Sequence, residues 1–379
     1  MSLTTTSKYL YNISYRTIPL RIHERWVKRE MDAMRILSVR TKIEVVLVIT
    51  FLLILGTVSV VSLTRTISNT HDDIDTFIRN SKGNYWQATG ANIQIAIDDL
   101  GITTYSKWGT PRGTVWLPGN MTLNVSSRIT VKLDTTLDMG GCVIKPTSNF
   151  DVILMDKGSR IRNGIIDVSD VGSYSKSVIT FNANDWDWAQ QCYVDNMELD
   201  SSSLRGTAIY LNTSSLTFAA DLTFIFCNKI NINNFQYGIY INQASTRTPD
   251  NCYINGNVFT NVHMDNVKYC MKVYQVSAEA SANQFENIYC NCTHNTEYII
   301  WNNGQYSQFV NINAFNWDNN SKTRKSYDFS SNANGAYLTF HGGGNDLSFP
   351  TFLWYDNSYT IFNQDNSTLM CGRVRQYIP

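Results

Sequence analysis

Proline is scarce in this chain, with seven in 379 residues, and charged residues make up only 16%. So little charge beside 43% hydrophobic and 12% aromatic residues excludes a disordered chain, because such a composition buries a core. CxxC is missing, so the eight cysteines offer no pair at the usual zinc spacing, and no metal is assigned to them. Long apolar runs are missing too, with one exception. From Val45 to Thr64 twenty residues carry no charge. About 20 apolar residues are what a helix needs to cross a bilayer core of about 30 Å. A buried core helix would have to hide all of them with no polar face. The run therefore predicts a single transmembrane helix in contact with lipid.

Charge sets its orientation. Residues 1–44 hold nine Lys or Arg against four acids, a local balance of +5. Residues 45–379 hold 22 basic and 27 acidic residues, a balance of −5. The positive-inside bias puts the N-terminus in the cytoplasm and the large C-terminal part outside. A leader of more than forty residues is too long for a cleaved signal peptide, so the segment reads as an uncleaved signal anchor. The expected organisation is a basic tail at 1–44, an anchor at 45–64, a polar stalk at 65–84 and an extracellular domain at 85–379. The mildly acidic outer part excludes a nucleic-acid binder.

The cysteines all lie in that outer part, from Cys142 to Cys371. An oxidising compartment permits disulfides, and buried free thiols are the other reading. Six N-x-[ST] sequons also lie there, at Asn120, Asn124, Asn212, Asn291, Asn319 and Asn366. They are glycan acceptors if the host glycosylates exported proteins.

Ala91–Leu100 places Ile93, Ile97 and Leu100 at helical spacing, which predicts one short amphipathic helix. After Gly101 strand-sized runs recur between Gly, Asn, Asp and Ser, among them Thr114–Leu117, Ile129–Leu133, Val178–Phe181, Ala208–Leu211 and Gly238–Ile241. Strands so short and numerous mean a sandwich, a propeller or a solenoid. Repetition chooses among them. Ile230–Ile241 aligns with Val262–Val273 at an offset of 32, and F-x-N-[IV] recurs at Phe259, Phe285 and Phe309. An imperfect period near 25, with loops of variable length, fits a solenoid coil. In F-x-N-[IV] the Phe and Ile or Val fill the interior. The Asn takes a turn, where it tolerates the left-handed region. Asn side chains stacked at successive turns form a ladder.

The helix Ala91–Leu100, then GTVWLPGNMTL at Gly113–Leu123 and ITVKLDTTLDMGGCVIKP at Ile129–Pro146, resemble the N-terminal coils of the pectin-lyase-like β-helix superfamily. GSRIRNGIID at Gly158–Asp167 is similar to a further coil. The resemblance covers roughly residues 85–365. It implies an all-β, right-handed parallel β-helix with a short N-terminal cap helix, here preceded by the transmembrane helix. Activity is not implied, because the superfamily spans lyases, glycosidases, tailspikes and adhesins. The adjacent aspartates, Gly-His-Gly and Arg-Ile-Lys of its polygalacturonases do not occur intact. Asp98-Asp99 falls on the cap helix, and Arg160-Ile161-Arg162 comes too early. Arg247-Thr248-Pro249 begins the pectate-lyase R-x-P-x-x-R, but Cys252 stands where its second Arg belongs.

Two groups of side chains carry candidate chemistry. The first is Asp185, Trp186, Asp187 and Trp188, followed by Asp195, Glu198 and Asp200. Carboxylates accept hydroxyl hydrogen bonds and rings stack on sugar faces. Paired carboxylates about 5–10 Å apart also hydrolyse glycosides, which makes Asp185, Asp187, Asp195 and Asp200 the catalytic candidates. The other reading is a loop folded over the helix flank, with Trp packed down and Asp solvated. The second group is Arg247, Asp250, His263, Asp265 and Lys268, in which Asp265 is placed to orient His263 as a base. Trp186, Trp188, Arg247, Asp250, His263 and Asp265 are the carbohydrate-binding candidates. The aromatic tail Asn345–Pro379 is expected to close the last coil, or to form a binding or homo-oligomer surface. The expected function is binding of polysaccharide or cell-surface glycan by an adhesin, spike or structural surface protein. The alternative is a polysaccharide lyase, with Ca2+ as cofactor, or a glycoside hydrolase.

Overall fold

The computed structural model describes residues 76–104, 112–183, 191–213, 221–243, 252–276, 279–315, 327–330, 333, 336–341, 352–354, 360–363, 368–371 and 376–377. Within them the chain is an all-β parallel solenoid with one short helix. Among the described residues the strands form one sheet of 15 and a second of 10.

From Ile153–Met155 to Thr360–Asn363 successive strands alternate between the two sheets. In the first, Arg160–Asp167, Tyr193–Asp200, Phe226–Asn233, Val258–Asp265, Gln284–Asn291 and Gln308–Phe315 stack in parallel and in register. In the second, Ser177–Phe181, Thr207–Asn212, Tyr237–Gln243, Tyr269–Gln275, Tyr298–Asn302 and Tyr327–Phe329 do the same. Parallel strands need a crossover, and here each crossover passes through the other sheet.

F-x-N-[IV] explains the coil. Phe259, Phe285 and Phe309 point inward and are fully buried, with ring centres 5.0 and 4.8 Å apart up the stack. Asn261, Asn287 and Asn311 each take φ 55°, in the left-handed region. Val262, Ile288 and Ile312 then turn back into the core. The left-handed residue bends each eight-residue strand, so the side chains before and after it both face inward. The first coil shows the same corner unfused: Thr135–Asp138 and Val143–Pro146 are separate strands, and Arg160–Asp167 pairs with both.

The helix Gly90–Asp99 buries Ile93, Ala96 and Ile97 over the first coil. Gly90 is required there, because a Cβ would lie 1.9 Å from the Asn124 carbonyl oxygen. The described residues at the end of the segment 65–84 belong to the fold. Phe77–Asn80 is a strand that pairs antiparallel with Gly113–Trp116. Ile78 is fully buried, and Asn80 Nδ2 donates to Asp99 Oδ2 at 2.9 Å. At the far end, Thr368–Cys371 and Gln376–Tyr377 pair antiparallel with the last parallel strands of the two sheets. The tail thus covers strand edges that the solenoid would leave open.

Cys142, Cys192, Cys227, Cys252, Cys270, Cys290 and Cys292 are buried. Among the described residues no helix is long and apolar enough to cross a membrane. The segment 45–64 lies outside the described residues.

Candidate functional site

The second sheet carries a row of aromatic side chains on its outer face. From Ser177–Phe181 to Tyr298–Asn302 its ladder skips one position at each step: Thr207 pairs with Tyr237 and Ile209 with Ile239, then Tyr237 with Tyr269 and Ile239 with Met271. The skipped residue and its successor both face the core, as in Ala208 with Ile209 and Cys270 with Met271. Two successive inward residues in each strand shift the inward-outward alternation. Residues three apart then share the outer face, so Tyr237 and Tyr240, Tyr269 and Lys272, and Tyr298 and Trp301 lie side by side.

Two columns result. Tyr237, Tyr269 and Tyr298 stack with centres 5.0 and 5.3 Å apart. Beside them run Tyr210, Tyr240, Lys272 and Trp301, in register on adjacent strands. Tyr210 and Tyr240 lie 5.2 Å apart, and Tyr237 and Tyr240 lie 4.8 Å apart. Lys272 Nζ sits 4.9 Å from Tyr240, 5.0 Å from Tyr237, 5.1 Å from Trp301 and 5.5 Å from Tyr269, measured to ring centres. All four lie within cation–π reach. Burial pulls the Lys272 pKa down, and no carboxylate among the described residues pairs with it. Burial also pushes the Tyr237 phenol up, so it stays neutral. At the edge, Lys268 Nζ lies 3.0 Å from Glu297, which accepts the Tyr269 hydroxyl at 2.7 Å.

The sequence candidates distribute differently. Asp185, Trp186, Asp187, Trp188, Arg247 and Asp250 lie outside the described residues, as do the sequons Asn319 and Asn366. Asp195, Asp200, His263 and Asp265 all stand on the outer face of the first sheet. Asp195 Oδ1 accepts from Asn228 at 2.7 Å and belongs to the amide network of the corner. Asp200 Oδ1 accepts from Asn233 at 2.7 Å, and Asp265 Oδ1 from Asn291 at 2.9 Å. Asp265 thus serves Asn291, and no bond to His263 accompanies it among the described residues. Asp200 also approaches Glu198, whose pKa rises through burial first and through the Asp200 charge and hydrogen bond second. Arg162 Nη2 pairs with Asp138 at 2.8 Å, a structural use of the Arg160-Ile161-Arg162 run. Asn120 and Asn124 are exposed, whereas Asn212 accepts from Asn242 at 3.1 Å in the second sheet. Among the described residues no three His, Cys, Asp or Glu side chains converge as a cation site.

The first sheet also holds a groove of about 470 Å³ lined by Gly140, Gly141, Asn163, Ile165, Asn196, Glu198, Lys229 and Asn231. The aromatic row and this groove were both missed in the sequence. The signal for the row was present in the repeat, where T-x-x-Y, Y-x-x-Y, Y-x-x-K and Y-x-x-W begin at Thr207, Tyr237, Tyr269 and Tyr298. The chain matches no protein-family model, no curated protein and no solved structure.

Proposed function

We propose that this chain is a membrane-anchored surface protein that holds polysaccharide or surface glycan on the outer face of its second sheet. The observation that carries the reading is the row Tyr210, Tyr240, Lys272 and Trp301 beside stacked Tyr237, Tyr269 and Tyr298. Flat, half-buried rings repeat at the strand spacing of about 4.8 Å. Such a surface suits the apolar faces of successive sugars, with a cation among them to take hydroxyl or acidic groups. Holding is favoured over cutting because Glu297, an acid at this edge, is already engaged by Lys268 and Tyr269. The uncharged run 45–64 and its basic flank support the anchor. The coil is read as right-handed and pectin-lyase-like, since parallel crossovers almost always take that hand.

A second reading, a glycoside hydrolase or lyase, draws on Glu198 and Asp200. A carboxyl with a raised pKa beside a second carboxylate is the arrangement of an acid and base pair. One screen tests both. The full chain is incubated with neutral and acidic polysaccharides, with and without calcium. Binding without new reducing or unsaturated ends supports the first reading. Release of such ends supports the second and removes the first.

A further inference from the structure

The corner of the first sheet repeats a left-handed residue in six successive coils: Asn163, Asn196, Lys229, Asn261, Asn287 and Asn311. Five are asparagine, the residue that tolerates this conformation best after glycine. Lys229 is the exception, with φ 54°. It breaks the amide ladder. Asn196 Nδ2 donates to Asn163 Oδ1 at 3.1 Å, and Asn311 Nδ2 to Asn287 Oδ1 at 2.7 Å. At the lysine the chain of bonds sidesteps, and Asn261 Nδ2 reaches Asn228 Oδ1 instead, at 2.8 Å. An asparagine at 229 would suit the backbone better and restore the ladder. The fold therefore does not account for the lysine.

The groove does. Lys229 is exposed on its wall and pairs with no carboxylate among the described residues. Ile165, Glu198 and Asn231 stand in register across three adjacent strands, all facing outward. Gly140 and Gly141 open the space, since neither carries a side chain. Glu198 stands beside Asp200, and its pKa is raised by burial first and by the Asp200 charge second. We propose that this groove binds one anionic sugar residue, Lys229 taking its charged substituent and Glu198, Asn196 and Asn231 its hydroxyls over Ile165. This site lies on the other sheet from the aromatic row and does not depend on that row binding glycan.

The test uses the full chain carrying Trp301→Ala, so that the aromatic row is weakened and the groove is read alone. Calorimetric titrations compare a hexuronate tetramer, a neutral tetramer and inorganic sulfate, each at low and high salt. The hexuronate is expected to bind, to weaken about tenfold or more at high salt, and to lose binding in Lys229→Asn. Lys229→Arg is expected to retain it. Lys229→Asn should also melt about 2 °C higher, because the ladder closes. Equal binding of the neutral tetramer, or sulfate binding as tightly as the hexuronate, would overturn the proposal. So would unchanged hexuronate binding in Lys229→Asn, or a lower melting temperature in that variant. Failure of the aromatic reading appears separately, as glycan binding by the Lys229→Asn chain that adding Trp301→Ala leaves intact.

Discussion

Lys272 Nζ lies 5.1 Å from the centre of the Trp301 ring, one strand further along the second sheet. A cation held among rings, with no carboxylate beside it among the described residues, is a charge left available to a ligand. Trp301→Ala is expected to weaken glycan binding at least tenfold, about 1.4 kcal/mol. Lys272→Met keeps the packing and removes the charge. It should reduce binding of acidic glycans more than of neutral ones. Titration of both variants with a matched acidic and neutral pair checks this.

Phe285 is stacked between Phe259 and Phe309 in the core. Phe285→Ala opens a cavity in the middle of the column and is expected to cost about 3–5 kcal/mol. Denaturant unfolding measures the loss. A cost below about 1 kcal/mol would mean that the column collapses onto the gap.

Asn287 donates to Asn261 at 3.4 Å and accepts from Asn311 at 2.7 Å while holding φ 55°. Asn287→Ala loses both bonds and the residue best suited to that backbone, an expected cost of about 1–2 kcal/mol. Asn287→Gly should cost less, because glycine relieves the backbone and forfeits only the bonds. Equal costs for the two would assign the whole effect to the hydrogen bonds.

Burial and Asp200 raise the Glu198 pKa above its ordinary 4.5. The folded state then holds this proton more tightly than the unfolded chain does. The favourable contribution is complete below pH 4.5 and is lost as pH rises through the folded value. Glu198→Gln should therefore stabilise the protein relative to wild type at neutral pH and make little difference near pH 4. Melting curves of the two proteins across that range check the sign.

Burial pushes the Cys142 and Cys192 thiols up to about 12. Reactivity follows the thiolate, so neither should react with a thiol reagent in the native protein. Both should become reactive on unfolding. Fast native labelling of either would contradict the burial.

The amino-acid sequence by itself determined the coil. F-x-N-[IV] marks the inward Phe, the left-handed Asn and the returning Val or Ile at Phe259, Phe285 and Phe309, because each residue type answers to a local demand. Ala91–Leu100 likewise announced its helix through spacing alone. The binding surfaces were decided only in three dimensions. Strict alternation would put Tyr237 and Tyr240 on opposite faces, and the skipped position at Gly238 brings them together. Stacking, not chain proximity, sets Lys272 among rings from the Tyr237, Tyr269 and Tyr298 strands. The groove follows the same logic: Gly140, Glu198 and Lys229 lie on different turns, and only parallel pairing in register places them around one space. Local conformational preference is written along the chain, whereas a surface built from successive turns exists only once the turns are stacked.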